Sequence, residues 1–86
     1  IISGARVERS VISPNVRIEN HSEVYDSIIM EGVSIGKNVK IRNTIIDKLV
    51  TVPDGRQIGY NSEEDARQFT ITEKGIIVVP KELPLL

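Results

Sequence analysis

The first 59 residues repeat one pattern every seventeen positions, and this repeat decides the fold. In rows they are IISGARVERSVISPNVR (1–17), IENHSEVYDSIIMEGVS (18–34), IGKNVKIRNTIIDKLVT (35–51) and VPDGRQIG (52–59). A sustained period of this length is typical of solenoids. Five columns hold only aliphatic residues and a sixth only small hydroxyl residues: Ile1, Ile18, Ile35 and Val52; Val7, Val24, Ile41 and Ile58; Val11, Ile28 and Ile45; Ile12, Ile29 and Ile46; Val16, Val33 and Val50; and Ser10, Ser27 and Thr44.

The spacing inside each row indicates the kind of solenoid. Aliphatic residues occupy the first and seventh places of each row and recur near the twelfth. This spacing is that of a hexapeptide repeat. The third hexapeptide of every row is one residue short. We therefore expect an all-β fold, a left-handed parallel β-helix of three to four coils with three flat faces. Inward aliphatic side chains would stack on their equivalents in the next coil, about 4.8 Å away.

Residues that favour turns recur where the corners of such a prism should lie. The Asn20-His21 pair falls at the corner that Lys37-Asn38 and Asp54-Gly55 occupy in later rows, which predicts a surface position for His21. The other turn segments are Pro14-Asn15, Glu31-Gly32, Gly36-Lys37-Asn38 and Pro53-Asp54-Gly55.

The pattern changes after Gly59. Residues 61–68 predict a short helix capped by Asn61 or Ser62, and Ser62 with Asp65 has capping-box spacing. Residues 69–72 and 76–79 predict a terminal strand pair around a turn at 73–75. We thus divide one structural domain into a β-helix (1–60) and a capping helix and strand pair (61–86). Because nothing in the chain covers the other end, we expect a fragment of a longer chain.

Composition excludes several classes of protein. The 86 residues suffice for one small domain, and apolar residues at 40% with aromatics at 3% favour stacked strands over a core of large rings. A formal net charge of −1 gives no electrostatic basis for nucleic-acid binding. The absence of cysteine excludes disulfides and thiolate metal sites. No apolar run approaches the roughly 20 residues of a membrane span.

The chain resembles a known family, most specifically in its second half. The residues that carry the likeness are Asn43 to Lys48, Val52 to Gly55, Ile58 to Asn61, Glu64 to Arg67, Phe69 and Glu73 to Val79. Together they resemble the C-terminal domain of bacterial glucose-1-phosphate adenylyltransferase, also called ADP-glucose pyrophosphorylase. The likeness extends over nearly the whole chain.

This resemblance implies a regulatory and oligomerisation domain of a cytoplasmic, tetrameric enzyme. The parent enzyme would make ADP-glucose and pyrophosphate from glucose 1-phosphate and ATP for glycogen synthesis. ATP and Mg²⁺ would bind in a separate N-terminal catalytic domain, on which this domain would pack. The resemblance therefore implies no catalytic residue, cofactor or metal site in this chain, which should be inactive alone.

The resemblance also implies an allosteric effector site. Lys48, after Ile45-Ile46-Asp47, and Lys81, after the 76–79 strand and Pro80, match basic positions that approach the effector's phosphate. Lysine ammonium groups suit an anionic sugar phosphate or nucleotide. The effector could be fructose 1,6-bisphosphate, AMP or another anion.

Two alternatives remain open at this point. Hexapeptide-repeat acyltransferases use a histidine as general base, and His21 is the only histidine here. It lacks a neighbouring long loop to hold a donor cofactor, and a single histidine excludes a zinc hydratase on the same coil. The chain could also be a non-catalytic interaction scaffold.

The acidic residues Glu63, Glu64 and Asp65 are more typical of a helix start than of a metal or acid–base site.

Overall fold

The computed structural model describes residue 2 and residues 4–85, which form a three-sided parallel β-helix closed at one end by a helix and a strand pair. The first face contains β1 (Arg6–Glu8), β4 (Glu23–Tyr25), β7 (Lys40–Arg42) and β10 (Gln57–Ile58). The second contains β2 (Val11–Ile12), β5 (Ile28–Ile29), β8 (Thr44–Ile46), β12 (Ile77–Val79) and β11 (Thr70–Ile71). The third contains β3 (Arg17–Ile18), β6 (Ser34–Ile35) and β9 (Thr51–Val52), and α1 spans Ser62–Gln68.

The seventeen-residue columns are the register of the sheets. Val7 pairs with Val24, Val24 with Ile41 and Ile41 with Ile58, all in parallel strands. The inward residues Val24, Ile41 and Ile58 are fully buried. The hexapeptide β-helix predicted from the period is thereby confirmed.

The first column departs from the period at the N-terminal end. Ile18, Ile35 and Val52 are in register as predicted. Ile1 lies outside the described residues, and Ile2 is the residue that bridges to Ile18. The first coil is therefore offset by one residue on this face.

The small-residue column carries hydrogen bonds from coil to coil. The Ser27 N–H donates to Ser10 Oγ over 3.1 Å, and the Thr44 N–H donates to Ser27 Oγ over 3.3 Å. A side-chain oxygen thus satisfies an amide near the corner, where the regular ladder is interrupted.

Left-handed backbone marks the corners. His21, Asn38 and Gly55 have φ of +64°, +57° and +76°, which places His21 at the predicted corner. A second corner column, which the repeat pattern did not predict, consists of Arg9, Asp26 and Asn43, whose φ values of +49°, +51° and +52° are also positive. Its signal was the recurrence of Asp and Asn one place before the small-residue column.

The helix begins as predicted and uses one of the two predicted caps. Asn61 is the N-cap, and its Oδ1 accepts from the Glu64 N–H over 3.2 Å. The predicted Ser62–Asp65 capping box is wrong, because Asp65 is buried and its Oδ2 accepts from the Gly59 N–H over 3.0 Å. The Asp65 side chain therefore joins the helix to the last coil.

The terminal strand pair is confirmed, and it extends the β-helix. β11 and β12 pair antiparallel, with Ile71 opposite Ile77. β12 also pairs parallel with β8, with Val79 opposite Ile46, and so takes the place of a strand from a further coil. Phe69 ends the helix and is buried in the core, so the first strand is shorter than predicted.

We expect Asp65→Ala to destabilise the domain by about 1–3 kcal/mol, because the Gly59 N–H would lose its acceptor. Urea unfolding followed by circular dichroism would measure the change. Glu63→Ala, in the same first turn but exposed, is the matched control and should change stability by less than about 0.5 kcal/mol. Equal effects of the two variants would contradict this role for Asp65.

Candidate functional site

The two lysines singled out in the sequence lie at one corner, in adjacent coils. Ile46 and Val79 are register partners. Lys48 follows Ile46 by two positions, and Lys81 follows Val79 by two positions. The backbone continues this alignment, since the Asp47 N–H donates to Val79 O and the Glu82 N–H donates to Lys48 O, both over 3.0 Å. Lys81 therefore follows the same path as Lys48, one coil further on.

Lys48 and Lys81 line the same cavity, whose volume is about 290 Å³. The other lining residues are Asn15, Glu31, Gly32 and Leu49. Two ammonium groups and one carboxylate give the lining of this cavity a formal charge of +1. In the part of the chain that the structure describes, neither ammonium has a carboxylate within 4.0 Å.

The corner itself is held by backbone that few residues tolerate. Leu49 has φ +60° and lies above Gly32, whose φ is +76°. A Cβ on Gly32 would come within 2.6 Å of Leu49 Cδ2, so the small residue lets the leucine pack over it. The Leu49 N–H donates to Glu31 O over 3.1 Å, which fixes the segment that carries Lys48.

His21 lines a different cavity, near the N-terminal end of the prism. This cavity of about 430 Å³ is also lined by Gly4, Ala5, Arg6, Ser22, Glu23 and Tyr25. The Tyr25 hydroxyl donates to Glu23 Oε1 over 2.8 Å, and this hydrogen bond raises the pKa of the Tyr25 phenol above its usual value. Among the described residues, no side-chain hydrogen bond or ion pair involves the His21 imidazole, and the His21 backbone N–H donates to Gly4 O over 3.0 Å.

A third cavity, of about 290 Å³, lies between the last coil and the cap, and it was not predicted from the sequence. The Arg42 guanidinium is stacked on the Tyr60 ring, with Arg42 Cζ 4.2 Å from the ring centroid. The Arg42 Nε–H donates to Gly59 O over 2.7 Å. The only sequence signal was that Gly59 follows Arg42 by one period. These contacts join the last coil to the segment that leads into the helix.

One face of the prism carries an outward apolar column. Val11, Ile28, Ile45 and Val78 are in register on it, and Val11 and Ile28 are 61% and 39% exposed. Outward columns on the other two faces are mostly polar, such as Arg6, Glu23, Lys40 and Gln57, or Arg17, Ser34 and Thr51. We call the Val11, Ile28, Ile45 and Val78 column the apolar stripe.

Two kinds of feature are missing from the described residues. Residue 2 and residues 4–85 contain no group of three or more His, Asp or Glu side chains that could hold a metal ion. Over the same residues, no helix is long and apolar enough to cross a membrane.

Known proteins share this repeat and its cap. A family model described as GlmU-like, C-terminal hexapeptide matches residues 1–79. The chain is 51% identical over 83 residues to a glucose-1-phosphate adenylyltransferase of Trichlorobacter lovleyi, which covers 95% of this chain and 20% of the relative. Relatives of the same name from Geobacter metallireducens and an Anaeromyxobacter species are 51% and 47% identical, over 92% and 96% of this chain and 19% and 20% of their own lengths.

The chain thus spans about a fifth of the length of these curated relatives, and the match falls in their C-terminal part. The expected resemblance to the C-terminal domain of glucose-1-phosphate adenylyltransferases is confirmed. Since the family model covers both the three-coil repeat and the terminal strand pair, the chain belongs to the GlmU-like C-terminal hexapeptide family.

Proposed function

We propose that this chain is the regulatory and oligomerisation domain of a glucose-1-phosphate adenylyltransferase. The observation that carries the regulatory part is the pairing of Lys48 and Lys81 at one cavity in adjacent coils. Like charges one coil apart repel each other, and an anion between them relieves that repulsion. A phosphate group of a sugar phosphate or nucleotide supplies such an anion.

The cavity also suits the rest of such a ligand. Asn15 and Glu31 offer an amide and a carboxylate, which hydrogen-bond to sugar hydroxyls, while Leu49 presents an apolar surface. Asn15 Nδ2 lies 3.4 Å from Glu31 Oε2, which keeps the two side chains together at one rim. The Glu31 carboxylate repels a phosphate group on its side of the cavity. The cavity therefore favours a ligand orientation in which the phosphate points toward Lys48 and Lys81.

Catalysis is proposed to occur elsewhere in the full-length enzyme. The relatives' name describes adenylyl transfer to glucose 1-phosphate, and this chain matches only their C-terminal part. In the parent enzyme, ATP, Mg²⁺ and glucose 1-phosphate would bind the N-terminal domain and give ADP-glucose and pyrophosphate in the cytoplasm. The present domain contributes effector binding and contacts.

The apolar stripe is the proposed contact surface for the rest of the enzyme. Exposed β-branched side chains in register present a flat surface whose burial is favourable, whereas the charged faces favour water. We assign the stripe to packing against the N-terminal domain or another subunit of a homotetramer.

The effector site is tested in the full-length enzyme by equilibrium binding of fructose 1,6-bisphosphate and of AMP as probes. Lys48→Ala and Lys81→Ala should each weaken the binding of at least one of these two compounds about tenfold. This is the loss expected for one charge-assisted hydrogen bond. A higher salt concentration should weaken probe binding more in the unsubstituted enzyme than in a double variant that carries both Lys48→Ala and Lys81→Ala.

Lys40→Ala is the matched control, because Lys40 is an exposed lysine on the first face, away from the cavity. It should leave the affinity for both probes within about twofold of the natural value. Unchanged affinity in the Lys48→Ala, Lys81→Ala double variant would rule out this effector site and leave the interaction scaffold as the better hypothesis.

A further inference from the structure

The cavity between the last coil and the cap is lined by an arginine whose charge is not neutralised. Among the described residues, no carboxylate lies within 4.0 Å of the Arg42 guanidinium. Its Nε–H donates to Gly59 O, but its terminal nitrogens Nη1 and Nη2 have no hydrogen-bond partner in the same part of the chain. These two nitrogens are therefore available to the acceptor atoms of a ligand.

The Arg42 side chain is also held in one orientation. The hydrogen bond of 2.7 Å to Gly59 O fixes one edge of the guanidinium, and the Tyr60 ring covers one face, with its centroid 4.2 Å from Arg42 Cζ. An arginine held in this way loses less conformational freedom on binding than an unrestrained one. Its planar fork of N–H groups matches the two oxygens of a carboxylate or phosphate.

Two hydroxyl groups add donors at the same cavity. Tyr60 and Ser62 both line it, and neither hydroxyl has a hydrogen-bond partner among the residues that the structure describes. Burial raises the pKa of the Tyr60 phenol above its usual value, so this group stays protonated and donates at neutral pH. One cation and two neutral donors at a single cavity suit an anionic ligand.

The rest of the lining favours one kind of anion. Ile71 and Ile77 present apolar surface, which suits the hydrocarbon body of an organic molecule. Asp65 contributes a carboxylate, so the formal charge of this lining is zero, against +1 at the cavity of Lys48 and Lys81. A doubly charged phosphate is repelled by Asp65 more strongly than a singly charged carboxylate is.

We propose that this cavity binds a small organic monocarboxylate, with its carboxylate on the Arg42 fork and its apolar body against Ile71 and Ile77. The hydroxyls of Tyr60 and Ser62 supply further donors to the ligand oxygens. Because the last coil and the cap both line the cavity, a bound ligand joins the two. The site differs from the lysine cavity in position and charge, and this inference does not depend on effector binding there.

Benzoate is the probe, because it joins one carboxylate to a compact apolar ring. Binding is measured in the full-length protein by NMR of isoleucine methyl groups labelled with carbon-13. The signals of Ile71 and Ile77, assigned with Ile71→Val and Ile77→Val, report on this cavity and should shift as benzoate is added. Benzamide has the same shape without the charge and should bind at least about tenfold more weakly. Phenyl phosphate should also bind more weakly than benzoate at this cavity.

Substitutions of Arg42 test the fork itself. Arg42→Lys keeps the positive charge but removes the planar pair of donors, and it should weaken benzoate binding at least about fivefold. Arg42→Gln also removes the charge and should weaken binding at least about tenfold. Arg17→Gln is the matched control, because Arg17 is an exposed arginine on the third face, and it should leave the affinity within about twofold. Unchanged signals of the other isoleucines show that each variant is folded.

A double variant with Lys48→Ala and Lys81→Ala should keep its benzoate affinity, which separates a failure of the effector site from a failure of this inference. Ile71 and Ile77 signals that do not respond to benzoate would overturn the proposal. Equal affinities for benzoate and benzamide, or unchanged benzoate affinity in Arg42→Lys and Arg42→Gln, would overturn it as well. Tighter binding of phenyl phosphate would exclude a carboxylate as the preferred ligand.

Discussion

Replacing Ile29 by alanine should destabilise the domain by about 2–5 kcal/mol, the range found for large-to-small changes in a packed interior. Ile29 is fully buried and stacks between Ile12 and Ile46 of the adjacent coils. Removing three carbon atoms there leaves a cavity that the rigid coils above and below cannot close. Because a small domain is stable by only about 5–15 kcal/mol, this loss is a large part of the total.

Ile28→Ala is the matched control for this variant. The two isoleucines are neighbours in β5, but Ile28 points outward in the apolar stripe and is 39% exposed. We expect a loss of less than about 1 kcal/mol for Ile28→Ala in this chain, measured by urea unfolding in parallel with Ile29→Ala. Similar losses for both would contradict the inward and outward assignment. The proposed burial of the stripe in the full-length protein predicts a larger loss for Ile28→Ala there than in this chain.

Replacing Gly59 by alanine should have the second large effect. Gly59 has φ +93°, and a Cβ built there would lie 2.1 Å from the carbonyl oxygen of Arg42, which is backbone and cannot rotate away. The last coil and the segment leading to the helix would have to separate. We expect a loss of more than about 3 kcal/mol, with loss of the Arg42–Tyr60 stacking.

Gly55→Ala isolates the contribution of backbone strain. Gly55 has φ +76°, but a Cβ there would meet nothing within 4 Å. We expect about 1–2 kcal/mol for this variant, which is the strain of a left-handed alanine alone. Thermal unfolding of both variants, followed by circular dichroism, measures the difference. A Gly59→Ala variant as stable as Gly55→Ala would show that the two segments are not held in contact.

The sequence singled out two residues of the candidate site and one residue of a second cavity. The period placed His21 at a corner, and the resemblance singled out Lys48 and Lys81. The Asp65 contact to Gly59 was not predictable, because capping-box spacing describes only neighbours along the helix. The partnership of Arg42 and Tyr60 also depends on how the chain leaves the last coil.

The sequence by itself determined the β-helix of residues 4–59. A strict seventeen-residue period fixes the register, because any slip would turn buried aliphatic side chains toward water. The tertiary structure alone decided how the helix and the strand pair beyond Gly59, where the period ends, pack on the last coil. There β12 could have packed in several ways, and its parallel pairing with β8 is set by long-range burial of Ile77 and Val79. That pairing places Lys81 beside Lys48, 33 positions away in the sequence, and so creates the cavity they share.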